Sequence, residues 1–104
     1  MNKEQKDKWL VALRSGEYKQ TRNVLIRDEK DGSRSYCCLG VLDEITKDEN
    51  PEFLMWGDRR QLTPSIMSQC VTKNDNEKLS FLEIADWLET TDLDLPIISY
   101  HEDI

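Results

Sequence analysis

Residues 36–42 read Tyr-Cys-Cys-Leu-Gly-Val-Leu, an unbroken run of small and apolar side chains in a chain that is otherwise rich in charge. The start of the run suits a β-strand, whereas from Cys38 to Lys47 the apolar residues recur with a helical period. A glycine inside a helix is unfavourable unless another segment packs closely against it. The run therefore predicts a strand-to-helix junction at Cys37 and Cys38, with a close contact at Gly40.

A first amphipathic helix is predicted over residues 3–14. Its apolar residues Trp9, Leu10 and Leu13 recur at three- and four-residue steps, with charged residues between them. Gly16 suits the left-handed residue that commonly follows the end of a helix. The pattern therefore gives this helix one apolar stripe and ends it just before Gly16.

Two later helices are marked by their first turns. Thr63 followed by Pro64 is typical of a helix start, because threonine caps the free amides and proline tolerates the first turn. Ser80 and Glu83 have the spacing of a capping box, which predicts a helix from Phe81 to Thr90. The side chains expected to face inward from this last helix are Phe81, Ile84, Ala85 and Leu88.

Two short segments, residues 23–27 and 34–37, have the composition of β-strands. Between them lie residues 28–33, which contain the turn-forming pair Asp31-Gly32. Two such segments joined by a short turn predict a two-stranded β-hairpin.

The remaining segments connect these elements. We expect a loop over the core at residues 48–61, a turn at residues 74–76, and an edge strand or tail at residues 92–104. With 104 residues the chain suits one domain, residues 1–104, with a single small core. The predicted fold class is α+β: a small single domain, mainly helical, with about four helices and a two-stranded β-hairpin.

Charge is distributed unevenly along the chain. Residues 1–35 contain nine basic and six acidic side chains, a net charge of +3, while residues 36–104 contain five and fifteen, a net charge of -10. This polarity disfavours general nucleic-acid binding, which needs a broad basic surface. It permits a local cationic pocket for a small anion, built from the first third of the chain.

The expected compartment is the cytoplasm. No apolar run reaches the roughly 18 residues that cross a bilayer, and the first residues lack the apolar segment of a signal peptide. The cysteine count is odd, and Cys37, Cys38 and Cys70 do not form a secreted disulfide pattern. We therefore expect reduced thiols and no membrane association.

Several classes of chemistry are disfavoured by the residues present. The single histidine, His101, lies near the terminus, and the cysteines lack metal-binding spacing, so neither a metal site nor a cysteine-histidine pair is predicted. The glycine-rich loops of the common nucleotide-binding folds are missing from the sequence. We expect no cofactor and no catalytic residues.

The segment after the first helix is the best candidate for a ligand site. Its guanidinium groups can chelate phosphate, its amide can orient a base or ribose, and its aromatic ring can stack on a base. The alternative interpretation is a solvated loop with Tyr18 packed on the core. Tyr36 and the first amides of the next helix can complete such a pocket, since helix N-termini favour anions. The candidate ligand-binding residues are Arg14, Ser15, Tyr18, Lys19, Gln20, Arg22, Tyr36, Cys37 and Cys38. For the two cysteines, the alternative is that they are small buried residues of the junction.

The same segments resemble a widespread family of small bacteriophage proteins. The blocks that carry the resemblance are residues 9–20 (Trp-Leu-Val-Ala-Leu-Arg-Ser-Gly-Glu-Tyr-Lys-Gln), residues 36–42, the pair Asn74-Asp75, and residues 80–89 (Ser-Phe-Leu-Glu-Ile-Ala-Asp-Trp-Leu-Glu). The chain departs from that pattern at Asp43, where a cysteine often stands. The resemblance implies an accessory protein made in the cytoplasm of an infected bacterium.

Two functions are compatible with that context. The first is a non-catalytic protein, expected to be a homo-oligomer, that binds and sequesters a small anionic, nucleotide-derived immune signal and so counters host defence. The second is an acidic inhibitor whose acidic face, residues 43–52 and 86–94, mimics a polyanion and blocks a basic site on a host protein. A third alternative, a small enzyme that cleaves a nucleotide signal, requires turnover to be demonstrated.

Overall fold

The computed structural model describes Met1, residues 3–47 and residues 62–93. Among these residues, every helix is too short or too polar to span a bilayer. The elements, in chain order, are α1 (Lys3–Arg14), β1 (Lys19–Gln20), β2 (Ile26–Asp28), β3 (Arg34–Tyr36), α2 (Cys38–Thr46), α3 (Pro64–Val71), a π-helical segment (Thr72–Asn76) and α4 (Phe81–Glu89). The predicted α+β class with four helices is confirmed.

The core forms where α1 packs against α2 and α4. The predicted stripe of α1 is buried, and its centre is Trp9, which is fully enclosed. The indole nitrogen of Trp9 donates a hydrogen bond of 3.0 Å to the Cys38 carbonyl, so the polar atom of this large side chain is satisfied. The inward positions of α4 are also confirmed, namely Phe81, Ile84, Ala85 and Leu88.

The sheet has three strands in the order β1-β3-β2. β2 and β3 form the predicted antiparallel hairpin, with Arg27 opposite Ser35. β1 adds a parallel strand on the other edge of β3, with Lys19 opposite Ser35. The prediction of a two-stranded hairpin was therefore wrong in strand number. A strand of two polar residues has no apolar alternation, so its pairing depends on tertiary contacts that the local pattern does not contain.

Gly40 lies where α2 crosses the chain before β2. A Cβ atom built at this position would overlap the Leu25 carbonyl oxygen and lie 3.1 Å from its carbon and 3.2 Å from Cγ1 of Ile26. The same carbonyl accepts a hydrogen bond of 3.0 Å from the amide of Cys37. The close contact predicted at Gly40 is thus with the backbone of residue 25.

In the second half of the chain, the helices begin where the capping signals of the sequence predict. The Thr63 hydroxyl accepts a hydrogen bond of 3.2 Å from the Ile66 amide, and Ser80 and Glu83 form both bonds of the capping box. The predicted turn at residues 74–76 is wrong: α3 instead continues into the π-helical segment, which buries Asn74. The predicted loop at residues 48–61 and most of the predicted tail lie outside the described residues.

Candidate functional site

The sheet register sorts the candidate residues onto two faces. Residues directly opposite one another in neighbouring strands point to the same side of a sheet. One row therefore contains Lys19, Ser35 and Arg27, and the next row contains Gln20, Tyr36 and Ile26. Lys19 and Arg27 are exposed, whereas the second row is half-buried, so the first row belongs to the outer face and the second to the inner face.

On the inner face, Gln20 is joined to the π-helical segment. Its amide nitrogen donates to the Asn74 side-chain oxygen at 2.9 Å and to the Leu79 carbonyl at 2.8 Å. Asn74 is fully buried and donates in turn to the Thr21 carbonyl at 2.9 Å and to the Asp75 carboxylate at 2.7 Å. Since a buried amide costs free energy unless it is hydrogen-bonded, this network holds β1 in place.

Arg22 reinforces the same connection. Its Nε donates to the Asn74 carbonyl at 2.9 Å, and one terminal nitrogen donates to the Lys78 carbonyl at 3.1 Å. Gln20 and Arg22, both predicted to bind a ligand, thus direct both amide N–H donors of Gln20 and two of the five guanidinium N–H donors of Arg22 to the fold. The pair Asn74-Asp75, one of the blocks behind the phage-family resemblance, is the other half of this network.

Arg14 and Ser15 lie at the other end of the predicted segment, where α1 ends. Arg14 forms ion pairs with Asp86 at 2.9 Å and Glu89 at 2.5 Å, both on α4. The hydrogen bonds that the guanidinium donates to Glu89 and, second, to Asp86 raise its pKa. The Ser15 hydroxyl donates to the Ala12 carbonyl at 2.7 Å and so closes the helix end. The charge of Arg14 is therefore balanced by two carboxylates of its own chain.

The two candidate tyrosines contact each other. The rings of Tyr18 and Tyr36 pack edge to face, with centroids 5.4 Å apart and planes at 81°. Both are half-buried against the core, so the alternative interpretation of Tyr18 as a packed residue is confirmed. Burial, followed by the charges of Glu44 and Glu17, raises the pKa of the Tyr18 hydroxyl. Edge-to-face packing is a favoured geometry for aromatic rings, and it stabilises the edge of the hydrophobic core.

The candidate cysteines lie inside the protein, and the interpretation of small buried junction residues is confirmed. Cys37, Cys38 and Cys70 are free thiols, and all three are buried. Burial raises the pKa of Cys37 from 9.0 to about 11. A hydrogen bond with Cys70, followed by burial, also raises the pKa of Cys38. Thiolates are the reactive form, and the raised pKa values keep Cys37 and Cys38 protonated at neutral pH. Among the described residues, no three His, Cys, Asp or Glu side chains are grouped as metal ligands.

The outer face of the sheet contains a groove that the sequence did not reveal. Its volume is about 490 Å³, and we call it the sheet-face groove. Within the described part of the chain, the side chains of Arg27 and Lys30 form no ion pair or hydrogen bond, and Lys19 interacts with Asp31 only through its charge. The residues that line the groove are Lys19, Arg27, Asp28, Glu29, Lys30 and Asp31.

The three carboxylates of the sheet-face groove accept hydrogen bonds from residues that do not line the groove. Arg34 donates to Asp28 at 2.8 Å, and the Ser35 hydroxyl donates to Glu29. Asp31 accepts two hydrogen bonds from the serine two positions further on, and the hydroxyl of that serine is the main cause of its lowered pKa. Among the residues described, only Asp28 is paired with a cation outside the groove, Arg34, whereas Glu29 and Asp31 accept hydrogen bonds from neutral serines and keep their negative charge.

Sequence reasoning identified Lys19 but missed Arg27 and Lys30. The two missed residues belong to the predicted hairpin, where alternating charge is usual and carries no functional signal. Only the parallel pairing of β1 with β3 brings Lys19 to the same face as Arg27. The predicted ligand residues therefore do not form one pocket: they divide among the α1 end, the inner face, the buried junction and the outer face.

Comparison with known proteins gives one match. The model of a family described as a domain of unknown function, DUF8296, matches residues 1–102 of this chain. Neither the search of curated proteins nor the search of solved structures finds a match. The family match spans every element described above, from α1 to α4.

Proposed function

The chain belongs to the DUF8296 family, and we propose that it is a bacteriophage accessory protein that binds a nucleotide-derived, phosphate-bearing signal and holds it without cleaving it. The resemblance to phage proteins supports the biological context. The site we assign to the ligand is the sheet-face groove, with Lys19, Arg27 and Lys30 as the phosphate-binding residues.

The observation that carries this proposal is the pairing state of the charges in the groove. The three carboxylates accept hydrogen bonds from Arg34, Ser35 and Ser33, while the side chains of Arg27 and Lys30 form no such contact within the described residues. A guanidinium can bind phosphate through two parallel hydrogen bonds, and lysine adds a mobile point charge. A phosphate in the groove would supply the missing partners.

The positions of the cations suit more than one phosphoryl group. Lys19 and Arg27 flank Ser35 from the two strands on either side of β3. Strands in a sheet are about 4.8 Å apart, so the two Cα atoms are separated by roughly 10 Å. Long, flexible side chains can converge on a diphosphate or on the two phosphates of a dinucleotide across that distance.

Sequestration rather than cleavage is supported by the state of the thiols. With the pKa of Cys37 raised to about 11 and that of Cys38 also raised, both sulfurs are protonated at neutral pH. A protonated, buried thiol is a poor nucleophile. Both lie at the junction between β3 and α2, inside the core rather than in the groove.

Native mass spectrometry tests the proposal directly. The purified protein is exposed to a panel of cyclic nucleotides and ADP-ribose derivatives. Bound ligand is then released and its mass is measured. Arg27→Ala and Arg14→Ala are the matched variants, because each removes one exposed arginine and changes the net charge equally. We expect a stoichiometric adduct of unchanged ligand mass with the wild type and with Arg14→Ala, and loss of the adduct with Arg27→Ala.

Each other outcome contradicts a defined part of the proposal. Loss of the adduct with Arg14→Ala alone would place the ligand at the end of α1. An adduct of altered mass would indicate turnover, and no adduct with any member of the panel would reject a nucleotide ligand. The same spectra report whether the protein is the homo-oligomer expected from the sequence.

A further inference from the structure

The outer face of α1 exposes an apolar side chain that the core does not need. Val11 is 68% exposed, more than any other large apolar residue described, although its neighbours Leu10 and Ala12 are buried. A single exposed valine is common on protein surfaces and carries no argument alone. The surroundings of Val11 distinguish it from an ordinary exposed valine.

Two open grooves extend along α1 on either side of Val11, with volumes of about 400 Å³ and 560 Å³. Both are lined by Asp7, Val11 and Ser15, so they form one continuous surface, which we call the α1 surface. At one end it reaches the half-buried ring of Tyr18. The α1 surface shares no lining residue with the sheet-face groove.

Carboxylates dominate the charge of the α1 surface. The acidic residues lining its two grooves are Glu4, Asp7, Glu17 and Glu89, against the basic residues Lys8 and Arg14. Arg14 is already shared between two carboxylates of α4, Lys8 lies 3.9 Å from Glu4, and Asp7 accepts a hydrogen bond of 2.7 Å from Lys3. Glu17 contributes to the raised pKa of Tyr18, so its negative charge acts on the aromatic end of the surface.

The shape of the α1 surface suits a helical partner. Its two grooves are open and follow the side of α1 on either side of Val11. A helix of 12 residues is about 18 Å long, enough to receive three turns of a partner helix. Recognition of this kind uses apolar residues spaced three or four positions apart, flanked by charges that complement the surface.

From this combination we propose that the α1 surface is a docking site for a basic amphipathic helix of a partner protein. An apolar side chain of the partner packs against Val11 and the ring of Tyr18. Lysine or arginine side chains on either side of it pair with Glu17 and replace the exposed lysines of α1 as partners of Glu4 and Asp7. This interaction goes beyond the proposed ligand binding, since it uses a different surface and opposite charge.

The test uses a defined probe, a fluorescent helical peptide of leucine and lysine with the leucines three and four positions apart, whose binding is followed by anisotropy. The variant is Val11→Lys, which places a cation at the centre of the α1 surface. Its matched control is Val71→Lys, because Val71 is a 44% exposed valine on α3 and the charge change is identical. Circular dichroism confirms that both variants are folded.

We expect Val11→Lys to weaken peptide binding by at least about tenfold and Val71→Lys to change it by less than about twofold. Glu17→Lys provides a second variant at the edge of the α1 surface and should also weaken binding. Equal losses in both valine variants would show that only net charge matters and would overturn the proposal. The proposal would also be overturned if Val11→Lys bound the peptide as tightly as the wild type or if a leucine-glutamate peptide bound equally well. Complete displacement of the peptide by spermidine at equal charge would overturn it too.

Discussion

Replacing Gly40 with alanine sets two physical effects against each other. Helix propensity alone predicts that α2 becomes more stable, because alanine is favoured over glycine by about 1 kcal/mol inside a helix. The structure predicts the opposite. The added methyl group would overlap the Leu25 carbonyl oxygen, which is part of the backbone and cannot rotate away.

The size of the expected loss of stability follows from the part of the backbone that must move. Relieving the overlap requires a shift of the backbone at Leu25, and this carbonyl is the acceptor for the Cys37 amide at 3.0 Å. Overpacking a core costs about 1–3 kcal/mol, and losing a hydrogen bond costs about 1 kcal/mol. After subtraction of the helix gain, we expect Gly40→Ala to lower the free energy of unfolding by about 2 kcal/mol. For a domain of this size that corresponds to a fall in Tm of roughly 10 °C.

Urea titration followed by tryptophan fluorescence measures this change, since Trp9 is fully buried and reports loss of the core. Ser68→Ala is the matched control, because it also increases helix propensity but at an exposed position of α3. We expect the control to keep its urea midpoint or raise it slightly. If Gly40→Ala unfolds at the same or a higher urea concentration than the wild type, the close contact with Leu25 does not control stability and the reasoning is refuted.

Two further predictions concern the fold, and two concern binding. Asn74→Ala should lower the free energy of unfolding by about 2 kcal/mol, because it leaves partly buried partners such as the Thr21 carbonyl unsatisfied, whereas exposed Asn76→Ala should leave the urea midpoint unchanged. The folded state keeps the Cys37 proton that the unfolded state releases, so the stability that this thiol contributes should be full below pH 9.0 and be lost between pH 9.0 and about 11 by up to about 1.4 kcal/mol per pH unit. The raised pKa of Cys38 adds to the fall in the same direction. Urea midpoints of Cys37→Ala should fall less over that range, and an equal fall would contradict the assignment. Arg27→Ala should abolish the nucleotide adduct in native mass spectrometry, and Val11→Lys should weaken binding of the basic peptide in the anisotropy titration.

Local sequence signals were sufficient wherever the determining contacts lie within one helical turn. The start of α4 was predicted correctly, because Ser80 and Glu83 satisfy each other's backbone amides across three residues. The bounds of α1 were predicted for a similar reason, since the spacing of its apolar residues is an intrinsic property of the helix. The close contact at Gly40 was also visible in the sequence, but its partner was not.

The candidate site could be predicted less well, because residue type does not reveal where a polar side chain finds its partner. The cluster of Arg14, Gln20 and Arg22 appeared to be a phosphate pocket. In the structure, their donors bind α4, the π-helical segment and the connection between the two, between 52 and 75 positions away in the chain. Conversely, Arg27 and Lys30 appeared to be ordinary hairpin charges until strand pairing placed them beside Lys19.

The sequence by itself therefore determined the helices, the inward faces of α1 and α4, and the hairpin, since each depends on spacing along the chain. The tertiary structure decided the third strand, the role of Asn74 and the division of the cations into paired and unpaired groups. The physical reason is that charges and hydrogen-bond donors are satisfied by whichever acceptor the fold brings close, and for β1 that acceptor lies on the π-helical segment. Which cations remain available to a ligand is set only when the chain has folded.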